Sequence, residues 1–185
     1  FTERFGRRIG RMTTAGAITD EINVNSDPMS IVAGPDNAVW FIQFNGKIGR
    51  IDVSTKTYTE TADLSAEDNI IKGPDNALWF LKFTGVGRLT TTGDASEIEL
   101  GGSPRAMTVG PDGNIWVLGP GSVIKITTAG NVTSFIRPQP WGDTRGIAAG
   151  PDGSLWYSNT GTNKFGRVVP PVAGHFNGDG RSDIL

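Results

Sequence analysis

Gly34-Pro35-Asp36-Asn37-Ala38-Val39-Trp40-Phe41 decides the fold, because it returns three more times along the chain. The other copies are Gly73-Pro74-Asp75-Asn76-Ala77-Leu78-Trp79-Phe80, Gly110-Pro111-Asp112-Gly113-Asn114-Ile115-Trp116-Val117 and Gly150-Pro151-Asp152-Gly153-Ser154-Leu155-Trp156-Tyr157. Their glycines are 39, 37 and 40 residues apart, a period typical of repeat architectures. In each copy a short apolar run (residues 30–33, 70–72, 106–109 and 146–149) precedes the turn and a tryptophan-bearing run follows it, which predicts a β-hairpin. Proline presets φ at the turn, and the residue after each Asp is Asn or Gly, the types that tolerate positive φ.

Working outward, a third strand is expected at 47–53, 86–91, 123–128 and 165–169. It carries Gly49-Arg50, Gly87-Arg88 and Gly166-Arg167, with Ile124-Lys125 the one departure. A fourth strand at 57–61, 95–100 and 132–137 mixes polar and apolar residues, as an exposed edge requires. Four antiparallel strands in each repeat predict an all-β fold, a β-propeller of four-stranded antiparallel blades. An α-solenoid is excluded, since no unit holds a ten-residue helical period with caps. A β-helix would need a shorter repeat. The tryptophans read as packing between blades, with carbohydrate stacking the alternative for any one of them. The Gly-Arg pairs read as structural.

The phase of the repeat also matters. Phe1-Thr2-Glu3 falls where residues just after a blade tryptophan belong, and Ile9-Gly10-Arg11 falls on a third strand. Residues 146–169 supply three strands of a last blade before Pro170-Pro171. The expected organisation is a propeller over residues 1–169, about 4.3 blades with the first and last partial, then a Pro linker and a second motif over 170–185.

Composition narrows the function classes. The 185 residues, 37% hydrophobic and 19% charged, suit one medium globular domain, and the 26 glycines and 11 prolines punctuate regular apolar runs. A net charge of −2 without clustered Lys or Arg excludes nucleic acid and anionic membrane surfaces as expected partners. The absence of cysteine excludes disulfides, thiolate metal sites and cysteine nucleophiles. No run approaches the roughly 20 apolar residues of a membrane-spanning helix.

The pattern Gly-Pro-Asp-x-x-aliphatic-Trp-Phe, followed by Lys47-Ile48-Gly49-Arg50-Ile51, resembles the streptogramin lyase (virginiamycin B lyase-like) propellers over roughly nine tenths of the chain. The resemblance implies a seven-bladed ring, of which this chain would be a part, or a ring closed by association of copies through open blade edges. It also implies a carbon–oxygen lyase that opens a cyclic depsipeptide ester by elimination, with histidine and glutamate beside Mg²⁺. A base takes a proton next to the ester carbonyl while the metal holds the developing charge. Glu3 is the residue to which an acidic site role carries over. The single histidine, His175, lies outside the blades.

The tail, Gly174-His175-Phe176-Asn177-Gly178-Asp179-Gly180-Arg181-Ser182-Asp183, resembles the FG-GAP or VCBS-type repeat of secreted and surface proteins, whose loop wraps Ca²⁺. Hard Ca²⁺ takes several oxygens from alternate loop residues. The resemblance assigns Asn177, Asp179 and Asp183 as ligands with the Arg181 carbonyl as a further one, and places His175 where the family's first Asp would stand. It also implies a secreted or cell-surface protein.

Propellers bind ligands at the loops leaving the second strand and those leading into the first. Three places beyond each tryptophan stand Gln43, Lys82, Gly119 and Asn159, with Glu3 equivalent. Five places before each Gly-Pro-Asp stand Met29, Asp68, Arg105 and Arg145. These positions vary inside a constant frame, which suits a ligand rim. Arg105 and Arg145 beside Asn159 offer forks for a planar anion, so a glycan, an anionic small molecule or a protein ligand is expected. No Ser-His-Asp triad or phosphate-binding loop is present. The expected function is a noncatalytic propeller that binds through this rim. The alternatives are the lyase and a self-assembling structural unit.

Overall fold

The computed structural model describes residues 1–136 and 144–170. The described residues form strands and turns without a helix, in five antiparallel sheets. The first sheet holds β1 (Thr2–Glu3), β2 (Arg8–Met12) and β3 (Ile18–Asn23). The second runs β4 (Pro28–Ala33), β5 (Ala38–Gln43), β6 (Ile48–Asp52) and β7 (Tyr58–Glu60), and the third β8 (Ile70–Lys72), β9 (Leu78–Leu81), β10 (Gly85–Leu89) and β11 (Ala95–Glu99). The fourth runs β12 (Ala106–Val109), β13 (Ile115–Gly119), β14 (Ser122–Ile126) and β15 (Val132–Ile136); β16 (Ile147–Ala149), β17 (Leu155–Asn159) and β18 (Lys164–Val168) form the fifth. Each sheet is a meander in chain order, the up-and-down topology of a propeller blade.

The turn chemistry acts as expected. Asn37 and Asn76 take φ of 55°, and Gly113 and Gly153 take 70° and 73°. Each turn is closed by the glycine amide donating to the carbonyl four residues on, as from Gly34 to Ala38 at 2.8 Å. The same motif then ties the hairpin to the third strand. Asp75 Oδ1 accepts from Trp79 Nε1 at 3.1 Å and Asp75 Oδ2 accepts from Arg88 Nε at 2.6 Å. Asp36 repeats this with Trp40 at 2.9 Å and Arg50 at 2.8 Å. Burial pushes the Asp75 carboxyl up, but the hydrogen bonds from Arg88 and Trp79 outweigh it and hold the group below its ordinary value. The spacing from Asp to Trp to Arg is therefore one clamp in the second and third sheets; the fifth keeps the ion pair between Asp152 and Arg167 at 3.1 Å, and in the fourth Lys125 stands in place of the arginine, 3.9 Å from Asp112.

The glycine of each Gly-Arg pair has a different cause. A Cβ on Gly49, Gly87 or Gly166 would overlap the ring of Phe41, Phe80 or Tyr157. A Cβ on Gly10 would overlap Phe1 in the same way, which fixes Phe1 as the residue after a blade tryptophan position. The departure at Ile124 is compensated across the ladder: Ile124 pairs with Val117, so an aliphatic pair replaces glycine and ring.

Alternation along the tryptophan strand gives each sheet two apolar faces. Trp40 and Ile42 pack with Ile70, Leu78 and Phe80 of the next sheet, whereas Phe41 packs back with Ile9 and Val24 of the first. Trp116 and Leu118 meet Leu155, Tyr157 and Val168 in turn. The strands β4, β8, β12 and β16 approach one another and form the inner layer. Trp40, Trp79 and Trp116 are at most 4% exposed, so the expected inter-blade role holds for them. Trp156 keeps its bond to Asp152 at 3.3 Å but is 42% exposed, because no described sheet covers it.

Candidate functional site

The Gly-Pro-Asp turns mark one end of the blades. The loops from second to third strand and the segments leading into the inner strands share the opposite end. All the rim residues named from the sequence fall there, but their surroundings differ.

Gln43, the last residue of β5, is fully buried. Its Oε1 accepts from Ser26 N at 3.1 Å and stands 3.1 Å from Tyr58 Oη, and its Nε2 donates to Glu60 Oε2 at 3.2 Å. Glu60 also accepts from Lys47 Nζ at 2.6 Å and Tyr58 Oη at 2.6 Å. The hydrogen bonds from Lys47 and Tyr58 bring the Glu60 carboxyl down to about 2, against opposing burial. Burial, with the bond donated to Glu60, pushes the Tyr58 hydroxyl up to about 12. The network joins the segment before β4 to both outer strands of the second sheet. Tyr58, Glu60, Lys47 and Ser26 were not singled out by sequence reasoning. Tyr58 and Glu60 show only the mixed polarity of the fourth strand, Lys47 only its place in the Lys47–Ile51 motif, and Ser26 no signal.

Glu3, at the matching place in the first sheet, is half-buried and paired to Arg8 at 3.2 Å. Lys82, the residue after β9, is paired to Glu97 on β11. Asp68 is exposed two residues before β8. Arg105 and Arg145 are both exposed, one immediately before β12 and the other two residues before β16, so they stand at the same end of neighbouring inner strands. Asn159, which ends β17, is half-buried, and its Oδ1 is buried without a hydrogen-bond partner. Arg105, Arg145 and Asn159 thus share the rim of the fourth and fifth sheets.

Three phenylalanines on the loops between second and third strands also reach this end: Phe5 is 92% exposed, and Phe44 and Phe83 are each 67% exposed. Their only sequence signal is that Phe44 and Phe83 each follow the rim position directly.

Among the described residues no group of three or more Asp, Glu or His side chains is placed to hold a metal ion. The described residues thus do not assemble the donor set for the Mg²⁺ that the family resemblance implies. Asn177, Asp179, Arg181 and Asp183, assigned above to Ca²⁺, lie outside the described residues, as does His175.

Comparison with known proteins gives a consistent picture. The family model described as "Virginiamycin B lyase family" matches residues 1–175. No curated protein sequence matches the chain. Among solved structures, a catalytically inactive histidine-to-alanine variant of virginiamycin B lyase from Staphylococcus aureus, crystallised with quinupristin, is 33% identical with a TM-score of 0.82. The match covers 92% of this chain and 62% of that one. A streptogramin B lyase structure is 29% identical with a TM-score of 0.81, covering 90% of this chain and 60% of that one. The chain therefore spans about three fifths of the length of these lyases. The extracellular domain of a hybrid two-component system from B. thetaiotaomicron shares the fold at 16% identity and a TM-score of 0.69, over 86% of this chain and 24% of that one. Repeat, clamp and structural match converge: the chain belongs to the virginiamycin B lyase family.

Proposed function

We propose that these blades form a noncatalytic binding module of the family, which takes an anionic ligand on the rim of the fourth and fifth sheets. The observation that carries this reading is the pair of exposed arginines, Arg105 and Arg145, at the same end of adjacent inner strands. Guanidinium forks match planar carboxylates or sulfates, and the amide of Asn159, half-buried at the same rim, suits a ligand hydroxyl. A carboxylated or sulfated glycan supplies both groups. The surface relatives of the tail motif and the extracellular domain of like fold favour a secreted or cell-surface location. On an array of carboxylated and sulfated glycans the protein is expected to retain a subset that Arg105→Ala/Arg145→Ala loses. Equal retention by both proteins refutes the reading.

The lyase reading is favoured by one observation, the 33% identity to an enzyme crystallised with quinupristin. That enzyme is inactive when a histidine is replaced, and residues 1–170 of this chain contain none. Incubation with quinupristin and Mg²⁺, followed by chromatography, separates the two readings. Catalytic accumulation of a ring-opened product establishes the lyase.

A further inference from the structure

Among the described residues four of the five sheets open on an inner strand, β4, β8, β12 or β16, whereas the first opens on β1, the counterpart of their second strands. Register aligns this sheet with its neighbours. Phe1 and Gly10 exchange backbone hydrogen bonds, each at 2.9 Å, just as Phe41 pairs with Gly49. Arg11 is therefore the counterpart of Arg50 and Arg88, which stand opposite Trp40 and Trp79. At Arg11 neither the indole nor the aspartate of the clamp has a counterpart among the described residues. Its guanidinium reaches Asp20 only at 3.6 Å, and Asp20 is engaged more closely by Lys56 at 3.1 Å. Arg50 and Arg88 hold their aspartates at 2.8 and 2.6 Å, and the Arg11 side chain is 63% exposed against 25% for Arg50. The facing wall differs in the same sense. Ile70 and Leu78, packed with Trp40, are buried, but their counterparts Ile31 and Val39 are only half-buried. With Ile51, Ile9, Arg11 and Asp20 they line a cavity of about 280 Å³ between the first and second sheets.

We infer that this cavity and the inner edge of the first sheet form a docking surface for a β-hairpin that carries the repeat's own Gly-Pro-Asp-x-x-aliphatic-Trp sequence. An indole set against Ile31, Val39 and Ile51 removes a large apolar area from water. The hairpin's aspartate then accepts from Arg11 as Asp36 does from Arg50, a charge-assisted bond that frees Asp20 for Lys56. Its first strand takes the main-chain groups that β1 presents at the edge, the mode of strand addition. A small aromatic molecule would fill the cavity but leave the sheet edge unpaired and Arg11 without its carboxylate. An extended peptide without tryptophan would pair the edge and leave the apolar walls open. The combination of apolar walls, an underused arginine and an open edge is met by the hairpin alone. This surface is separate from the anion site on the fourth and fifth sheets.

The test is fluorescence anisotropy of an amidated peptide spanning Glu67–Trp79, labelled with fluorescein at its N-terminus and titrated with the 185-residue chain, beside a scrambled peptide of the same composition. Saturable binding of the first peptide is expected, weakened about tenfold or more by Trp79→Ala or Asp75→Ala in the peptide and by Arg11→Glu in the chain. Asp75→Arg in the peptide is expected to restore binding to Arg11→Glu by exchanging the charges. Arg11 is exposed, and an unchanged melting temperature confirms that Arg11→Glu is folded; the peptide substitutions read the same contact with the chain untouched. Arg105→Ala/Arg145→Ala is expected to leave peptide binding intact, so failure of this surface and failure of the glycan site are read separately. Equal binding of the scrambled peptide, no saturable binding, or full binding by Arg11→Glu overturns the inference.

Discussion

Gly87 lies against the ring of Phe80, in a ladder pair where any Cβ on the glycine would overlap that ring. The equivalent pair in the fourth sheet is Val117 with Ile124. One position of the repeat thus has two solutions, ring with glycine or two aliphatic chains. Gly87→Ala is expected to cost about 1–3 kcal/mol by overpacking. Ile124→Gly alone should cost about 2–5 kcal/mol, and Val117→Phe should recover part of it, a coupling of roughly 1–3 kcal/mol. Urea denaturation of the two single variants and the double variant measures this, and strict additivity would contradict the packing argument.

Asp75 ties a buried indole to a guanidinium on the next strand. Asp75→Ala leaves the Trp79 N–H without its acceptor and Arg88, whose side chain is 29% exposed, without its carboxylate. A loss of roughly 2–4 kcal/mol is expected in urea denaturation. Asp152→Ala removes the same clamp from the fifth sheet, where both Asp152 and Arg167 are 38% exposed, and should cost distinctly less.

The tryptophans divide in the same way. Trp79→Ala empties a fully buried volume and should cost about 3–5 kcal/mol. Trp156→Ala, at 42% exposure, should cost clearly less. Equal losses at the two sites would mean that the fifth sheet is covered in solution.

Much of this was legible in the sequence because the repeat supplies four independent copies of each turn. The inner strands, the tryptophan strands and the positive-φ positions follow from Gly-Pro-Asp and from Asn37, Asn76, Gly113 and Gly153. The phase of the first sheet was legible too, and the Phe1–Gly10 contact accounts for it. Gln43 was not legible as a buried residue. Its position holds Glu3, Lys82 and Asn159 in other blades, and its burial depends on Tyr58 and Glu60, which stand 15 and 17 residues away on the outermost strand. The reason for Ile124 was hidden similarly, since it requires the register that sets it opposite Val117. Exposed rings such as Phe44 carry no periodic signal, because nothing in the frame constrains them.

The Gln43 network has a pH signature. The Glu60 carboxyl is held down to about 2, so its contribution to stability is fully present above about 4.5 and is lost as pH falls toward 2. The Tyr58 hydroxyl is held up to about 12, so its contribution is present below 10 and lost as pH rises toward 12. Melting temperature against pH should fall at both limits. Glu60→Gln should flatten the acid limb, and an unchanged acid limb in that variant would rule out Glu60 as its origin.

The binding role itself is tested most directly by locating the ligand. In an NMR titration of the ¹⁵N-labelled chain with a uronic-acid oligosaccharide, saturable shifts are predicted at the amides of Arg105, Arg145 and Asn159, and these should vanish in Arg105→Ala/Arg145→Ala. Shifts confined to the outer strands, or no saturable shift at all, would contradict the account.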